Sequence, residues 1–282
     1  MSGIDALFIT PRSRLEVYQG LSNDYAAIEP PVWSSLIANY LKERKYNVAI
    51  LDAEAENLTH EETAEKILKL NPKLAVFMIY GQQPSASTQC MPGGNKTCKK
   101  LNDLSSNEIK SIVVGTHASA LPRQTLDEEP YTYVCQGEGP LTIKNLIDYI
   151  NGKIKDIKKI PGLWYFSEDN TLSFNPSAKM FEDLDNELPG QAWKLLDMKK
   201  YRAHNWHSFG RLDTRDLYAS LQTSLGCPFK CTFCCINAPF ERNTIRFWSP
   251  KHVANQVKIL VEEYNIFNIK IPDEMFVLNP KQ

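Results

Sequence analysis

Five short apolar runs mark the first 150 residues: Ala6–Ile9, Val48–Leu51, Leu74–Ile79, Ile112–Val114 and Tyr131–Val134. None is long enough for a helix. Each reads as a short strand. Helical segments lie between them. Pro31 opens one through Trp33, Leu36, Ile37, Tyr40 and Leu41, spaced by three and four. Thr59 to Leu70 is a second, with Thr59 and Glu62 in a capping-box pattern. A helical stretch from Ser85 to Leu104 is broken at Pro92-Gly93-Gly94, and Leu141–Ile150 is the last helix of the unit. The stretch from Thr10 to about Pro30 reads as a long loop, and loops of that length are often functional. Strand–helix alternation predicts an α/β, Rossmann-like parallel-sheet domain over residues 1–152.

In such sheets, ligands bind beyond the carboxyl ends of the strands. Three strand ends carry residues suited to that: Gly81 with Ser85 and Ser87; Gly115 with Thr116 and His117; and Gly137-Glu138-Gly139. Glycines there let the backbone approach a large ligand, although each one alone is an ordinary turn residue. The G-x-G-x-x-G fingerprint after the first strand is missing, which argues against NAD or FAD.

Beyond residue 152 the pattern changes. Residues 153–215 read as a linker with a β-hairpin, Leu163–Phe166 and Thr171–Phe174 around Glu168-Asp169-Asn170. His204, Trp206 and His207 near its end read as surface packing. From 216 to 282 a strand, Leu217–Thr223, leads to a cysteine loop. A helix follows with Ser249 as N-cap and Pro250 first, then a strand, Phe267–Ile271. Strand, loop, helix, strand is the opening of a parallel (β/α) barrel. Only two of its strands are present, so this part reads as truncated, or as one piece of a split protein.

The loop holds Cys227, Cys231 and Cys234 in a C-x3-C-x2-C spacing. Thiolates are soft ligands suited to iron–sulfur clusters, whose usual closed arrangement takes four of them. Cys235 adjoins Cys234, and neighbouring side chains in an extended loop point apart. Three ligands leave one iron open, as a catalytic metal requires. Zinc would need a fourth Cys or His at finger spacing, and the nearest downstream histidine, His252, lies well beyond it.

This loop resembles the signature of the radical S-adenosylmethionine (SAM) enzymes. The strand ends, in their order, resemble the cobalamin (B12)-binding domain that precedes many radical SAM domains. Gly115-Thr-His-Ala-Ser is similar to the family's Gly-Gly-x-His-x-(Thr/Ser) element, with Thr116 in place of the second glycine. Gln136-Gly-Glu-Gly139 is similar to its Gly-Glu-Gly-Glu element, with Pro140 last. The resemblance implies three cofactors: a 4Fe-4S cluster on Cys227, Cys231 and Cys234; SAM near Phe233, Asp273 and Glu274; and cobalamin near Gly81, Ser85, Ser87, Gly115, Thr116, His117, Gly137, Glu138 and Gly139. The Asp-x-His-x-x-Gly motif of other cobalamin proteins is absent, so no protein histidine is expected below the cobalt. The implied activity is reductive cleavage of SAM to a 5′-deoxyadenosyl radical, used to methylate an unactivated carbon. The alternatives are a rearrangement or cyclisation on the same cofactors, and a non-catalytic cofactor-binding fragment. No side chain is assigned a catalytic role of its own. The implied partners are a small-molecule substrate and an electron donor such as flavodoxin or ferredoxin.

Composition narrows the setting. The net charge of −1 and pI of about 6.5 give no overall attraction to nucleic acid. No apolar run approaches membrane-spanning length. Seven cysteines without a signal peptide suit a reducing cytoplasm.

Overall fold

The computed structural model describes residues 3–22, 26–80, 86–203, 216–276 and 278. The predicted parallel strands form as β1 (Ala6–Thr10), β2 (Val48–Asp52), β3 (Leu74–Met78), β4 (Lys110–Val114) and β5 (Tyr133–Cys135). They are joined by β6 (Leu163–Phe166) and β7 (Leu172–Phe174) in a seven-stranded sheet of order β2-β1-β3-β4-β5-β6-β7. The first five strands run parallel, β6 runs antiparallel to β5, and β7 runs antiparallel to β6.

In the same region the helices are α1 (Arg14–Tyr18), α2 (Val32–Glu43), α3 (His60–Leu70), α4 (Ser87–Ser105), α5 (Thr116–Ala120), α6 (Pro122–Glu128) and α7 (Pro140–Ile150). Side chains alternate along each strand, so one strand feeds two cores. Ala6 and Phe8 pack with Ile37, Leu41, Ile143 and Leu146 of α2 and α7. Leu7 and Ile9 pack with Ile67, Cys98 and Leu101 of α3 and α4. Both faces of the sheet are thereby covered. Each large side chain buried this way contributes about 1.5–3 kcal/mol. The expected capping box on α3 is present. The Thr59 hydroxyl accepts from the Glu62 N–H at 3.2 Å, and the Thr59 N–H donates to Glu62 Oε2 at 2.8 Å.

Three stretches differ from the sequence reading. The long loop after β1 contains α1. Its N–H groups find an acceptor far along the chain: Glu54, just after β2, accepts from the backbone of Ser13 and, at 2.6 Å, of Arg14. A carboxylate at a helix N-terminus is favourable, and here it replaces a local cap. The helix expected to break at Pro92-Gly93-Gly94 runs through as α4. Pro92 removes one backbone donor. The glycine beside it lets the α1 segment cross closely, because a Cβ at Gly93 would overlap the Arg12 carbonyl. The hairpin expected in a linker lies instead in the first sheet, where Tyr133 pairs with Tyr165 and Cys135 with Leu163. Leu163 and Tyr165 are buried in the first core, which fixes the hairpin there.

The rest of the bridge also packs. Phe181, Leu184 of α8 (Leu184–Glu187) and Leu188 join the first core. Trp193, Leu196, Met198 and Tyr201 join a third core. That core includes Ala219 and Leu221, on and beside β8 (Tyr218–Ser220). The strand predicted over 217–223 stops at Ser220, and the chain bends into β9 (Ser224–Gly226), which pairs antiparallel with β10 (Ile245–Phe247). Next come α9 (Pro250–Tyr264), capped by Ser249 as expected, and β11 (Asn268–Lys270). β11 pairs parallel with β8, as a barrel opening requires. Arg202 bridges both units, pairing with Ile28 on one side and Leu217 on the other. Among the described residues no helix is long and apolar enough to cross a membrane.

Candidate functional site

The strand order reverses between β1 and β3, and in open α/β sheets that is where a ligand crevice opens. A cleft lies there. Thr10, Met78 and Tyr80 at the strand ends line it, with Trp33 at the start of α2. Its opposite wall comes from the second unit, through Gln222 after β8 and Pro272 after β11. Glu29 pins that wall, accepting from Lys270 Nζ at 2.9 Å and Ser220 Oγ at 3.1 Å. The carboxyl ends of two sheets therefore face each other.

A recess continues from this cleft between Trp33, Tyr80, Thr116, Gln222 and Phe240. Trp33 stacks on Tyr80 with ring centroids 4.7 Å apart. Three polar atoms in the recess are buried without a hydrogen-bond partner among the described residues: Tyr80 Oη, Thr116 Oγ1 and Gln222 Oε1. Burial raises the Tyr80 phenol well above its ordinary pKa, so it is a donor without an acceptor. Buried polar groups are normally satisfied, and each exception needs a physical reason. A large ligand bearing amide groups would satisfy all three, so the residues fit a cobalamin. Of the three, only Thr116 carries a motif signal. Tyr80 and Gln222 sit where strands end, which is the sole trace they leave in the sequence.

The expected strand-end residues are placed as follows. Gly81 and Ser85 lie outside the described residues, as does the 204–215 segment with His204, Trp206 and His207. Ser87 is buried at the start of α4; its hydroxyl donates to the Ile79 carbonyl and accepts from the His117 N–H at 3.0 Å. Ser87 thus ties the end of β3 to Gly115, Thr116 and His117. The His117 ring shares a hydrogen bond with the Thr88 hydroxyl at 2.9 Å, and burial lowers its pKa. Gly137 and Gly139 both hold positive φ, at 116° and 104°. The Gly137 N–H donates to Ser119 Oγ at 3.1 Å, which joins this turn to α5. Glu138 lines neither the cleft nor its recess and forms a buried ion pair with Arg246.

The cysteine loop begins at Gly226, whose φ of 90° is a left-handed conformation that glycine favours. Asn237 clamps its base, accepting from the Cys227 N–H at 3.0 Å and donating to the Cys227 carbonyl at 2.8 Å. Cys227, Cys231 and Cys234 all line one open bowl. Cys235 lines the same bowl, contrary to the expectation that it points away. The loop is turned rather than extended, with the Cys234 N–H donating to the Cys231 carbonyl, so adjacent side chains need not diverge. Among the described residues no three His, Cys, Asp or Glu side chains converge on a single metal ion. A cluster asks for a different shape, since each thiolate meets its own iron. Sulfurs spread around a bowl fit that demand.

The remaining expected residues lie at the rim. Phe233 projects from the loop and is 91% exposed. Asp273 accepts from the Thr223 N–H at 2.8 Å and from the hydroxyls of Thr223 and Ser224. It thereby holds the bend between β8 and β9, and an ionised carboxylate keeps acceptor capacity beyond three bonds. Glu274 lines the recess; burial first, and then the Asp273 charge, raise its pKa.

Known proteins share this fold and part of this sequence. Residues 19–147 match the family model of the B12 binding domain. An uncharacterized methyltransferase of Pyrococcus horikoshii is 30% identical over 254 residues, covering 90% of this chain and 50% of that protein. An anaerobic magnesium-protoporphyrin IX monomethyl ester cyclase of Rubrivivax gelatinosus is 25% identical over 280 residues, covering 98% of this chain and 46% of that protein. The chain spans about half the length of these curated relatives. Two solved structures share the fold. The cobalamin-dependent SAM radical enzyme OxsB, with aqua-cobalamin and SAM bound, matches with a TM-score of 0.70 and 16% identity over 97% of this chain and 34% of that one. The radical SAM methyltransferase TsrM of Kitasatospora setae, with cobalamin and a 4Fe-4S cluster bound, matches with a TM-score of 0.67 and 17% identity over 99% of this chain and 49% of that one. Over residues 19–147 the chain is therefore similar to B12 binding domains, and as a whole it is similar to these relatives and shares the fold of cobalamin-dependent radical SAM enzymes.

Proposed function

We propose that this chain is the cofactor-holding part of a cobalamin-dependent radical SAM enzyme that methylates an unactivated carbon of a small molecule. The observation that carries the reading is the pairing of two walls. The first unit presents the unsatisfied Tyr80 and Thr116 atoms at the switch point of its sheet, and the second presents Gln222 across the recess and, on its cysteine loop, a bowl of thiols. When bound, the cluster and SAM would supply a carbon-centred radical, and cobalamin a transferable methyl group.

The chain's own task is to bind, orient and exclude water. Cys227, Cys231 and Cys234 would hold the cluster, on a loop whose base Asn237 fixes. Asp273 and Glu274, beside the second strand end, would meet the amino group of SAM. Tyr80, Thr116 and Gln222 would meet amide groups of cobalamin, with the Trp33–Tyr80 stack as an apolar wall. The Gly115–His117 and Gly137–Gly139 turns would flank its tail. The required electron would come from a donor such as flavodoxin or ferredoxin. All seven cysteines are free thiols, which suits a cytoplasmic setting.

Anaerobic reconstitution tests this reading. The wild-type chain should show cluster absorbance, bind cobalamin, and release 5′-deoxyadenosine from SAM under reduction. A Cys227/Cys231/Cys234 triple alanine variant should lose its iron and keep cobalamin. Unchanged iron in that variant defeats the assignment. S-adenosylhomocysteine among the products separates methyl transfer from the cyclisation chemistry named for one relative.

A further inference from the structure

The Gly137–Gly139 turn belongs to the first sheet and the cysteine loop to the second unit. A buried ion pair links the turn to β10, the strand paired with the one that leads into the loop. Arg246 Nη1 donates to Glu138 Oε2 at 3.1 Å, and Nη2 donates to Oε1. Nη1 also donates to the Phe181 carbonyl at 2.6 Å, and the guanidinium lies 5.2 Å from the Phe240 ring centre. The side chains are 4% and 7% exposed. Around this pair, Gln136 donates to Glu241 at 2.6 Å, and Arg242 and Glu182 form an exposed ion pair.

Arg246 sits on β10, opposite Leu225 of β9, and its neighbour Ile245 pairs with Gly226. Gly226 directly precedes Cys227. The path from Glu138 to the first cysteine is therefore one ion pair and one strand pairing. A buried ion pair is a poor choice for stability alone, because desolvation cancels much of its attraction. A bidentate fork does fix direction, and a third bond to a backbone carbonyl fixes it further.

We propose that Glu138 and Arg246 are positioning residues that set the separation and angle between the cobalamin-holding turn and the cluster-holding loop. This rests on the cofactor assignment above. Two reactive groups that serve one substrate across a cleft must be held in register, and an error of about 1 Å costs on the order of 10²-fold in rate.

The test uses the full chain loaded with both groups and reduced, so that cob(II)alamin and the cluster are both paramagnetic. Pulsed EPR then reads the dipolar interaction between them. The wild type should give one narrow distance distribution. Arg246→Lys keeps the charge and loses the fork, and should bind both groups at full stoichiometry with a broadened distribution. A Glu138→Leu/Arg246→Met double variant, apolar and of similar volume, should behave the same way while its unfolding midpoint stays close to that of the wild type. A charge-swapped Glu138→Arg/Arg246→Glu variant should narrow the distribution again in part. A wild-type distribution in both Arg246→Lys and the double variant overturns the proposal. So does a loss of cluster or cobalamin in Arg246→Lys, since that marks a merely structural contact. If the wild type itself fails to load cobalamin or cluster, the cofactor assignment falls first, and that result is distinct from a loaded protein with an unchanged distance.

Discussion

The sheet of residues 6–174 and the strand pairs of residues 218–270 are held by different means. The first has apolar cores on both faces, and its central strand β3 is buried throughout. The second has one small core of its own, shared with the bridge, lends Leu225, Phe240 and Trp248 to the first core, and its β11 is only half-buried along its length. Directional polar contacts add to that packing: Glu138 to Arg246 and Glu29 to Lys270 fasten the second region to the first, and Tyr201 to Asp52 fastens the bridge. Apolar burial tolerates small shifts in angle, whereas a bidentate ion pair or a buried hydroxyl–carboxylate bond does not. The first region is therefore a platform, and the second is a part aimed by it.

The sharpest test of this contrast is Gly226→Ala. It forces a side chain onto a positive φ and into the Thr244 carbonyl, with an expected local cost of several kcal/mol, roughly 3 or more. Iron and sulfide content after reconstitution should fall to near zero while cobalamin binding changes less than about twofold. Loss of both together would show that the regions are one cooperative unit. Ser87→Ala probes the platform. It leaves the His117 N–H and the Ile79 carbonyl without their buried partner, and should cost about 1–3 kcal/mol in urea unfolding. Cobalamin affinity should weaken with it, while cluster content holds.

The smallest effect concerns pH. Burial pushes the Asp52 carboxyl up to about 7, although the Ala55 N–H and the Tyr201 hydroxyl both favour its ionised form. A carboxyl raised in the native state binds more protons there than in the unfolded chain. Its contribution is complete below about pH 4 and is lost as pH rises through about 7, with a slope of up to about 1.4 kcal/mol per pH unit. Urea midpoints should fall over that range in the wild type and stay flatter in Asp52→Asn, which still accepts from Tyr201. Equal slopes in the two proteins would remove Asp52 as the cause. Amide exchange in β8 should quicken with pH more than exchange in β3.

Legibility in the sequence followed the range of the interactions. β1 to β5 were readable because burial on both faces leaves continuous apolar runs. The ends of α3 and α9 were readable because their caps lie within a few residues of each other. α1 was not, since the acceptor for its first N–H groups is Glu54, about forty residues away. The continuity of α4 was hidden too, because Pro92-Gly93-Gly94 announces a break locally while the packing beside Arg12 needs a missing side chain. At the site, cysteine spacing named the thiol bowl but not the way Cys235 faces, which depends on a turn. Trp33, Tyr80 and Gln222 became visible only when two sheet edges met. Glu138 was read as part of a ligand-binding turn, and its long-range partner Arg246 carried no local signal.

Arg202 joins the two units by two backbone hydrogen bonds to Ile28, each 3.0 Å, with Leu217 on its other side. Ile28 and Glu29 form part of the cleft wall. Bonds of this kind are worth about 1 kcal/mol each, far less than either hydrophobic core. The mouth of the cleft is thus stitched by a few directional bonds at Ile28 and Glu29, so a substitution there reshapes the entrance before it disturbs either interior.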